Sequence, residues 1–537
     1  MAAIRERLLI LGAGVMQGPA INIAKTLGLE TVVVDADPQA PCVSLADRFE
    51  QVDLKDKAGV VALGQELKAA GGLAGIMTAG TDFSATVAWA AEKLGLPGIP
   101  YEASLNASDK ERMRQCFKAA GVPSPEFVVL TGDKDLNVPL PYPVVVKPVD
   151  NMGARGCRRV DTPEALPVAV SDALSFSRSG RVIVEAYMEG PEFSVDAIVY
   201  KGELIICGLG DRHIFFPPYF IEMGHTMPTN VDAGTVTALL ETFIQGIRAL
   251  GLGDPTAVGA AKGDIKLTPR GPMIGEIAAR LSGGYMSGWT YPYSSGVEPT
   301  RGAILVALGK RPEGLEPTRF WTSAERAFIS IPGKVRSIQG IERAKAQVKD
   351  LFLRIEPGTQ VQFPENNVTK CGNVISAAPS REQAVDGAEQ AARSVLIRLE
   401  APNDATERFL SLSDTGYPPD AFTLPAQLRA LLSKFPEPEV SGNPGLQPEV
   451  VEVALLPFPE LTGSGLKDYM GRTVEESIEA VRLVTGRALP YREVPYREAS
   501  DARNTGTLIL GRRFWAALIR GGYQGAAYIV DRFVQKT

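Results

Sequence analysis

Histidine is nearly missing from this 537-residue sequence, which has only His213 and His225. That scarcity argues against a histidine-rich metal site. The five cysteines (Cys42, Cys116, Cys157, Cys207 and Cys371) are odd in number, scattered and without metal-ligand spacing. Reduced thiols in a cytoplasmic protein are therefore expected, in place of a disulfide framework or a zinc site. No basic run or basic–aromatic stripe accompanies the net charge of −6, so nothing makes a general case for nucleic acid. Long apolar runs are also missing. LLILGAGVM, after Arg5 and Arg7, is too short to span a membrane and has no clear small-residue cleavage site. It reads as a buried first strand, and no membrane partner is expected.

What is present is ordinary soluble composition, 45% apolar and 22% charged, on a chain too long for one core. About three or four domains are expected. RLLILGAG, ETVVVDAD and LAGIMTAG alternate with helical periodicity from Pro19 to Leu27 and from Phe83 to Leu94. That pattern predicts a doubly wound α/β domain. Its first turn carries Gly12, Gly14 and Gly18, and Asp35 closes the second strand, much as in a dinucleotide fingerprint. Gln17 stands at the third glycine position, so a nicotinamide or flavin oxidoreductase stays a minority reading. Farther on, DKERMRQCFKAAG reads as an amphipathic helix, and the strand-rich stretch from Tyr142 to Asp211 as antiparallel α+β structure. A helix is expected from Ser380 to about Leu399, a proline-rich linker from Phe435 to Glu449, and a capping box at Thr473–Glu476.

The most informative stretch is GDIKLTPRGPMIGEIAAR, Gly263 to Arg280. Pro269-Arg270-Gly271 suits a three-residue hairpin loop, which pairs Thr268 with Pro272 and hence Asp264 with Glu276. Ile265, Leu267, Met273 and Ile277 then face a core, while Asp264, Lys266, Glu276, Ala278 and Arg280 share the other face. With Cβ atoms only about 5 Å apart, opposed acids are either both solvated or have a cation between them. Lys262 or Lys266 would serve, and so would a hard divalent ion such as Mg²⁺.

Further chemistry lies upstream. Lys147 ends the β-branched strand VVVKP, where an unpaired ammonium is costly. NMGARG follows, with glycines whose backbone N–H groups can wrap phosphate oxygens. Lys110 is a second cation, or else a solvated surface lysine. Glu185 ends the strand VIVE and Glu192 follows Gly190-Pro191; either acid suits an adenine or ribose contact, or an ordinary hairpin end.

In this order these segments resemble the ATP-grasp superfamily, specifically its carboxylate–amine ligases, through nearly the whole first 400 residues. LILGAGVMQGPAINIAKTLGLETVVVDADPQAP is similar to the family's N-terminal domain and YPVVVKPVDNMGARG to its lysine and phosphate loop. VIVEAYMEGPEFSVD resembles the hinge, EMGHTMP the substrate-side segment, GEIAARLSGG the metal and arginine motif, and GNVISAAPSREQAVDGAEQA the closing lobe. The implied fold is mixed α/β and α+β. It comprises a Rossmann-like domain (1–107), an ATP-grasp domain (108–319), a small lobe (320–400), a linker region (401–449) and an additional α/β module (450–537).

The resemblance implies roles at the matching positions. Lys110 and Lys147 would contact ATP phosphates, with Met152, Gly153, Ala154, Arg155 and Gly156 folded over them. Glu185 and the backbone near Tyr187 and Met188 would hold adenine, and Glu192 the ribose. Asp264 and Glu276 would hold Mg²⁺, and Arg280 would stabilise an acyl phosphate. Arg280, Glu276 and Lys147 would thus carry the catalysis. Glu222, His225, Arg280, Ser282, Gly283 and Gly284 would face the substrates. Two positions depart from the common family pattern: Asp264, where Glu is usual, and Ala278, where Asn is frequent. The partners implied are a small carboxylate and an amine, as for an amino-acid or dipeptide-forming ligase, or for a purine-biosynthesis-like or other small-carboxylate ligase. A nucleotide-binding regulator without turnover is the reading from another class. Residues 401–537 match nothing recognised in the family; FWAALIRGGYQGAAYIVD suggests a packing or dimer element, and a homodimer is expected.

Overall fold

In the computed structural model, which describes residues 5–134, 136–411, 416–437, 452–492 and 507–536, the N-terminal apolar runs pair as a parallel sheet. Its strands are β1 (Arg7–Leu11), β2 (Glu30–Asp35), β3 (Arg48–Gln51) and β4 (Leu73–Thr78), in the order β3-β2-β1-β4. Leu8 to Leu11 and Val32 to Val34 are fully buried, as expected for strands covered on both faces. The covering helices are α1 (Gly18–Thr26), α2 (Lys57–Ala69) and α3 (Ser84–Leu94).

The glycine turn after β1 is filled by the chain itself. Gln17 is 2% exposed and its side-chain amide donates to the Ala79 carbonyl. A Cβ on Gly12, whose φ is 99°, would come within 3.0 Å of the Gln17 side chain. The Ala13 N–H donates to the Asp35 carboxylate at 2.8 Å. The acid and the turn of the apparent fingerprint thus satisfy each other.

After α4 (Tyr101–Ser108) comes α5 (Lys110–Ala120), capped by Asp109 and closed by Gly121 at φ 68°. Its ends therefore follow the sequence signals of an N-cap carboxylate and a left-handed glycine. A four-stranded antiparallel sheet follows, with β5 (Phe127–Thr131), β6 (Val144–Pro148), β7 (Arg158–Val160) and β8 (Arg181–Ala186) in the order β5-β8-β6-β7. Helix α6 (Leu166–Phe176) packs on it through Leu166, Ala169, Val170 and Ala173. The larger antiparallel sheet includes β9 (Glu192–Tyr200), β10 (Glu203–Phe215), β11 (Ile221–Met227), β12 (Val258–Thr268) and β13 (Gly271–Ala278), adjacent in the order β13-β12-β9-β10-β11. Helix α7 (Ala233–Ala249) covers one face with Leu239, Phe243 and Ile247.

The expected hairpin is present, with a different turn. Thr268 pairs with Gly271, not Pro272, so Pro269-Arg270 forms a two-residue turn. A bulge at Gly275 then absorbs the one-residue difference, and Asp264 pairs with Glu276 after all. The bulge also changes a face: Ile274, fully buried beside Ile265 and Ile277, takes the place expected for Met273 in that core, while Met273, also buried, pairs with Lys266.

Cα packing divides the chain into Met1–Glu325 with Ile375–Val385, and Arg326–Val374 with Asp386–Thr537. The second unit has its own core around Phe422, Val453, Leu455, Val481, Phe514, Trp515 and Leu518. The expected helix from Ser380 to Leu399 is Arg381–Ser394 followed by the strand Leu396–Leu399, because β-branched and leucine residues there pair with Val335 to Gln339. The linker expected over 401–449 contains helices Asp404–Ser411 and Ala426–Lys434, and Ala421, Phe422 and Leu424 share the core of the module beyond it. Residues 412–415 and 438–449 of that linker lie outside the described ones. The Thr473–Glu476 capping box is formed by both of its hydrogen bonds. Near the C-terminus, Arg512–Lys536 is helical on both sides of a break at Gly522 (φ 60°, ψ −152°).

Candidate active site

Lys147, at the end of β6, is held by Glu185 of the neighbouring strand β8, with Nζ 2.8 Å from Oε2. The other Glu185 oxygen lies 2.9 Å from Nε of Arg114, a fully buried side chain of α5. Glu185 is itself buried. Desolvation favours its neutral form, but Arg114 and Lys147 outweigh it and hold its carboxyl below the usual value. Lys110, at the start of α5, is 5% exposed; its Nζ donates to the Asn151 carbonyl at 2.6 Å and lies 3.5 Å from Glu276. Neither lysine is a solvated surface residue.

Between β6 and β7 runs the glycine loop. Gly153, Ala154 and Gly156 have φ of 70°, 61° and 66°; glycine makes this left-handed backbone inexpensive at two of the three. Arg155 donates to the Met152 carbonyl and, at 3.0 Å, to Asp82 in the loop after β4. Arg178 approaches the same Asp82 at 3.5 Å.

On the hairpin, Asp264 and Glu276 do stand opposite each other, and protein cations surround them. Lys262 donates to Asp264, and Arg212 of β10 lies 2.9 Å from its other oxygen. Arg212 also pairs with Glu192 and Glu222, the latter at 2.8 Å. Burial favours the neutral form of Glu276, yet Lys110, Lys147, Lys262 and Arg280 hold its carboxyl down at about 2. Of the two lysines weighed as counter-ions, Lys262 serves Asp264, whereas Lys266 turns to Glu192 at 3.7 Å.

Among the described residues Arg280 makes no carboxylate hydrogen bond: it donates to Leu281 O at 2.9 Å and to the Met152 sulfur at 3.6 Å, and its buried Nε finds no hydrogen-bond partner. A guanidinium in that condition fits an incoming anion. Beyond it, the Ser282 N–H and hydroxyl both bond to buried Asp196, at 2.9 and 2.5 Å, so Ser282 anchors the segment from behind. Gly284 is left-handed (φ 62°), and Gly283 packs close to Gly80. Tyr187 lies between two cations, with Arg159 4.6 Å and Lys266 5.6 Å from its ring centre. Met188 reaches toward Gly275. His225 is fully buried, between Thr290 at 3.0 Å and Glu325 at 3.3 Å.

The structure thus brings together Lys110, Lys147, Glu185, the 152–156 loop, Asp264, Glu276 and Arg280. It leaves His225 and Ser282 behind the surface. Sequence reasoning missed Asp82, Arg114, Asp196 and Arg212. For Asp82 a signal existed, since it follows the carboxyl end of a parallel strand, where α/β folds place ligands. Arg212 is a charge inside a strand, but its partners lie on three other strands. Among the described residues no group of three or more His, Cys, Asp or Glu side chains gathers to hold a metal, and no helix is long and apolar enough to cross a membrane. The five cysteines are free thiols.

The fold is that of ATP-dependent ligases that form a C–N bond. Residues 21–98 match the ATP-grasp N-terminal domain, residues 140–287 the ATP-grasp domain, and residues 327–400 the L-amino acid ligase C-terminal domain 2. The chain has ATP-grasp superfamily architecture, with carboxylate–amine ligases among its homologues. It is 26% identical over 388 residues to the uncharacterized protein y4rH of Sinorhizobium fredii, covering 70% of this chain and 79% of that one. To carnosine synthase 1 of Gallus gallus it is 25% identical over 335 residues, 57% of this chain and 36% of that protein. The chain therefore spans about a third of the synthase's length. The crystal structure of L-amino acid ligase from Bacillus licheniformis superposes with a TM-score of 0.64 at 22% identity, covering 74% of this chain and 99% of that one. At that identity the likeness is one of fold.

Proposed function

We propose that the protein is an ATP- and Mg²⁺-dependent ligase that joins the carboxyl group of one amino acid to the amine of another. The observation that carries it is the convergence of Lys110, Lys147, the left-handed 152–156 loop, the Asp264–Glu276 pair and Arg280, whose buried Nε has no hydrogen-bond partner among the described residues, on one space. The match of residues 327–400 to an L-amino acid ligase domain and the similarity to a carnosine synthase support the amino-acid class. A purine-biosynthesis type shares the scaffold, and fold alone does not choose between them.

Lys110, Lys147 and Arg155 would bind the phosphates, and the glycine loop would cover them and exclude water that hydrolyses an acyl phosphate. Glu192 would take the ribose. Glu185 would meet adenine at the hinge with the backbone of Tyr187 and Met188, while its two salt bridges aim Lys147 and fix α5. Asp264 and Glu276 supply hard carboxylate oxygens on one face, which fits Mg²⁺. Bound there, Mg²⁺ would neutralise charge on the phosphates. The substrate carboxylate oxygen attacks the γ-phosphorus, and ADP leaves. The amine then attacks the acyl carbon, phosphate leaves, and the nitrogen loses a proton. Arg280 would steady the acyl phosphate with its planar fork. Such transfer depends on positioning and charge neutralisation, consistent with a site of lysines, acids and arginine. Gly283 and Gly284 would line the substrate side, with Glu222 reaching it through Arg212.

A phosphate-release screen with ATP and Mg²⁺, offering amino acids and small carboxylates singly and in pairs, tests the reading. Release that needs an amino-acid pair, with a dipeptide seen by mass, is expected. Release driven by non-amino-acid carboxylates alone would replace the amino-acid assignment.

A further inference from the structure

We propose that Arg212 and Lys262 are built-in counter-ions of the Asp264–Glu276 pair, which keep divalent metal out until nucleotide phosphates arrive. The inference rests on the ATP reading above. Each oxygen of Asp264 already faces a cation, Arg212 at 2.9 Å on one side and Lys262 on the other. Glu276 has Lys110 at 3.5 Å. Arg212 is only 10% exposed at the centre of Glu192, Glu222 and Asp264. Lys262 is 13% exposed. These are not tethered surface ions that water screens cheaply; they stand in a half-dry site where like-charge repulsion is felt.

A bare divalent ion would meet three obstacles here. Two carboxylates provide few of the roughly six oxygens that Mg²⁺ requires. Among the described residues no third His, Cys, Asp or Glu is gathered with them. The Lys262 ammonium hydrogen-bonds one Asp264 oxygen, and the Arg212 guanidinium lies 2.9 Å from the other as a charge partner without a hydrogen bond, so an added cation meets positive charge on both sides. A triphosphate removes all three obstacles at once. Its oxygens complete the ligand set, its negative charge offsets the added cation, and it offers Lys110, Lys262 and Arg212 new partners. Metal and nucleotide binding are then coupled, and by linkage each strengthens the other by the same factor.

The test uses the full chain and Mn²⁺ as the probe, with free Mn²⁺ read by electron paramagnetic resonance. A non-hydrolysable ATP analogue is titrated by calorimetry, with Mn²⁺ and with chelator. For the wild type, Mn²⁺ should tighten analogue binding by about tenfold or more, the usual scale of coupling between sites. Nucleotide-free Lys262→Met should bind Mn²⁺ about tenfold more tightly than the wild type, and its coupling should shrink accordingly. Arg212→Gln should move the same way; because it leaves three acids facing one another, its fold is checked by circular dichroism. If either variant fails to fold, the other carries the comparison, and the wild-type titrations need neither. Equal analogue affinity with Mn²⁺ and with chelator overturns the proposal, as does unchanged or weaker Mn²⁺ binding in a folded variant. No analogue binding under either condition overturns the ATP reading itself, and the proposal with it.

Discussion

Two glycine-rich turns follow buried strands in the first unit, and their polar surroundings differ. In the turn from Gly12 to Gly18, Gln17 fills the space beneath Gly12 and Asp35 accepts the Ala13 N–H, so both polar features of the fingerprint are spent on the chain. In the loop from Met152 to Gly156, left-handed backbone stands beside Lys110, Lys147 and Arg155, and the Arg280 Nε has no partner. Glycine spacing alone does not make a phosphate site. Unspent donors and nearby positive charge do.

The comparison breaks most sharply at Glu276. Glu276→Gln should lower turnover by more than about a hundredfold, the scale of losing one preorganised charge contact, in a steady-state assay on folded protein. Retained turnover would remove the hairpin from the chemistry. Arg280→Lys keeps the charge but loses the fork. It should lower kcat about a hundredfold and leave ATP affinity nearly unchanged by calorimetry.

Backbone substitutions sharpen the contrast between the turns. At Gly156, φ is 66° and a Cβ would lie 2.9 Å from the Phe176 ring and 3.1 Å from Ala173 Cα. Gly156→Ala should raise the KM for ATP by about tenfold, as left-handed backbone costs an L-residue about 1–2 kcal/mol. Gln17→Ala strands the Ala79 carbonyl. It should cost about 1–3 kcal/mol in a denaturant melt while leaving the rate per folded molecule intact. A kinetic defect in Gln17→Ala without a stability loss would erase the distinction.

The smallest effect expected is one of pH. With its carboxyl held at about 2, Glu276 stays ionised well below the unfolded carboxyl value of about 4.3. Its stabilisation is present above about pH 4.3 and is lost as pH falls toward 2. The difference in melting temperature between wild type and Glu276→Gln should hold from pH 7 to 5 and shrink below about pH 4. A difference that shrinks between pH 7 and 5 would contradict the depressed value.

Strand and helix identity was legible wherever periodicity or a cap carried it. The three early apolar strands β1, β2 and β4, α5 between Asp109 and Gly121, and the Thr473–Glu476 box all formed as their residues suggest, whereas the polar β3 (RFEQ) gave no such signal. The Asp264–Glu276 pairing was legible only because two departures cancel. The turn is one residue shorter than Pro269-Arg270-Gly271 suggests, and the Gly275 bulge restores the register. A glycine inside a strand hints at a bulge without fixing its place. Less legible were the groups whose partners are distant in sequence. Asp82 meets Arg155, Arg114 meets Glu185 and Arg212 meets Asp264 only after the sheets are built. Ser282 looked like a substrate contact because nothing in its neighbourhood of the sequence reveals Asp196 behind it.

Hydrogen exchange on both turns in a single experiment tests the central claim most directly. With a non-hydrolysable ATP analogue and Mg²⁺ added to the full chain, amides from Met152 to Cys157 should slow while those from Gly12 to Gly18 stay unchanged. Protection appearing at Gly12 to Gly18, with none at the 152–157 loop, would contradict the account.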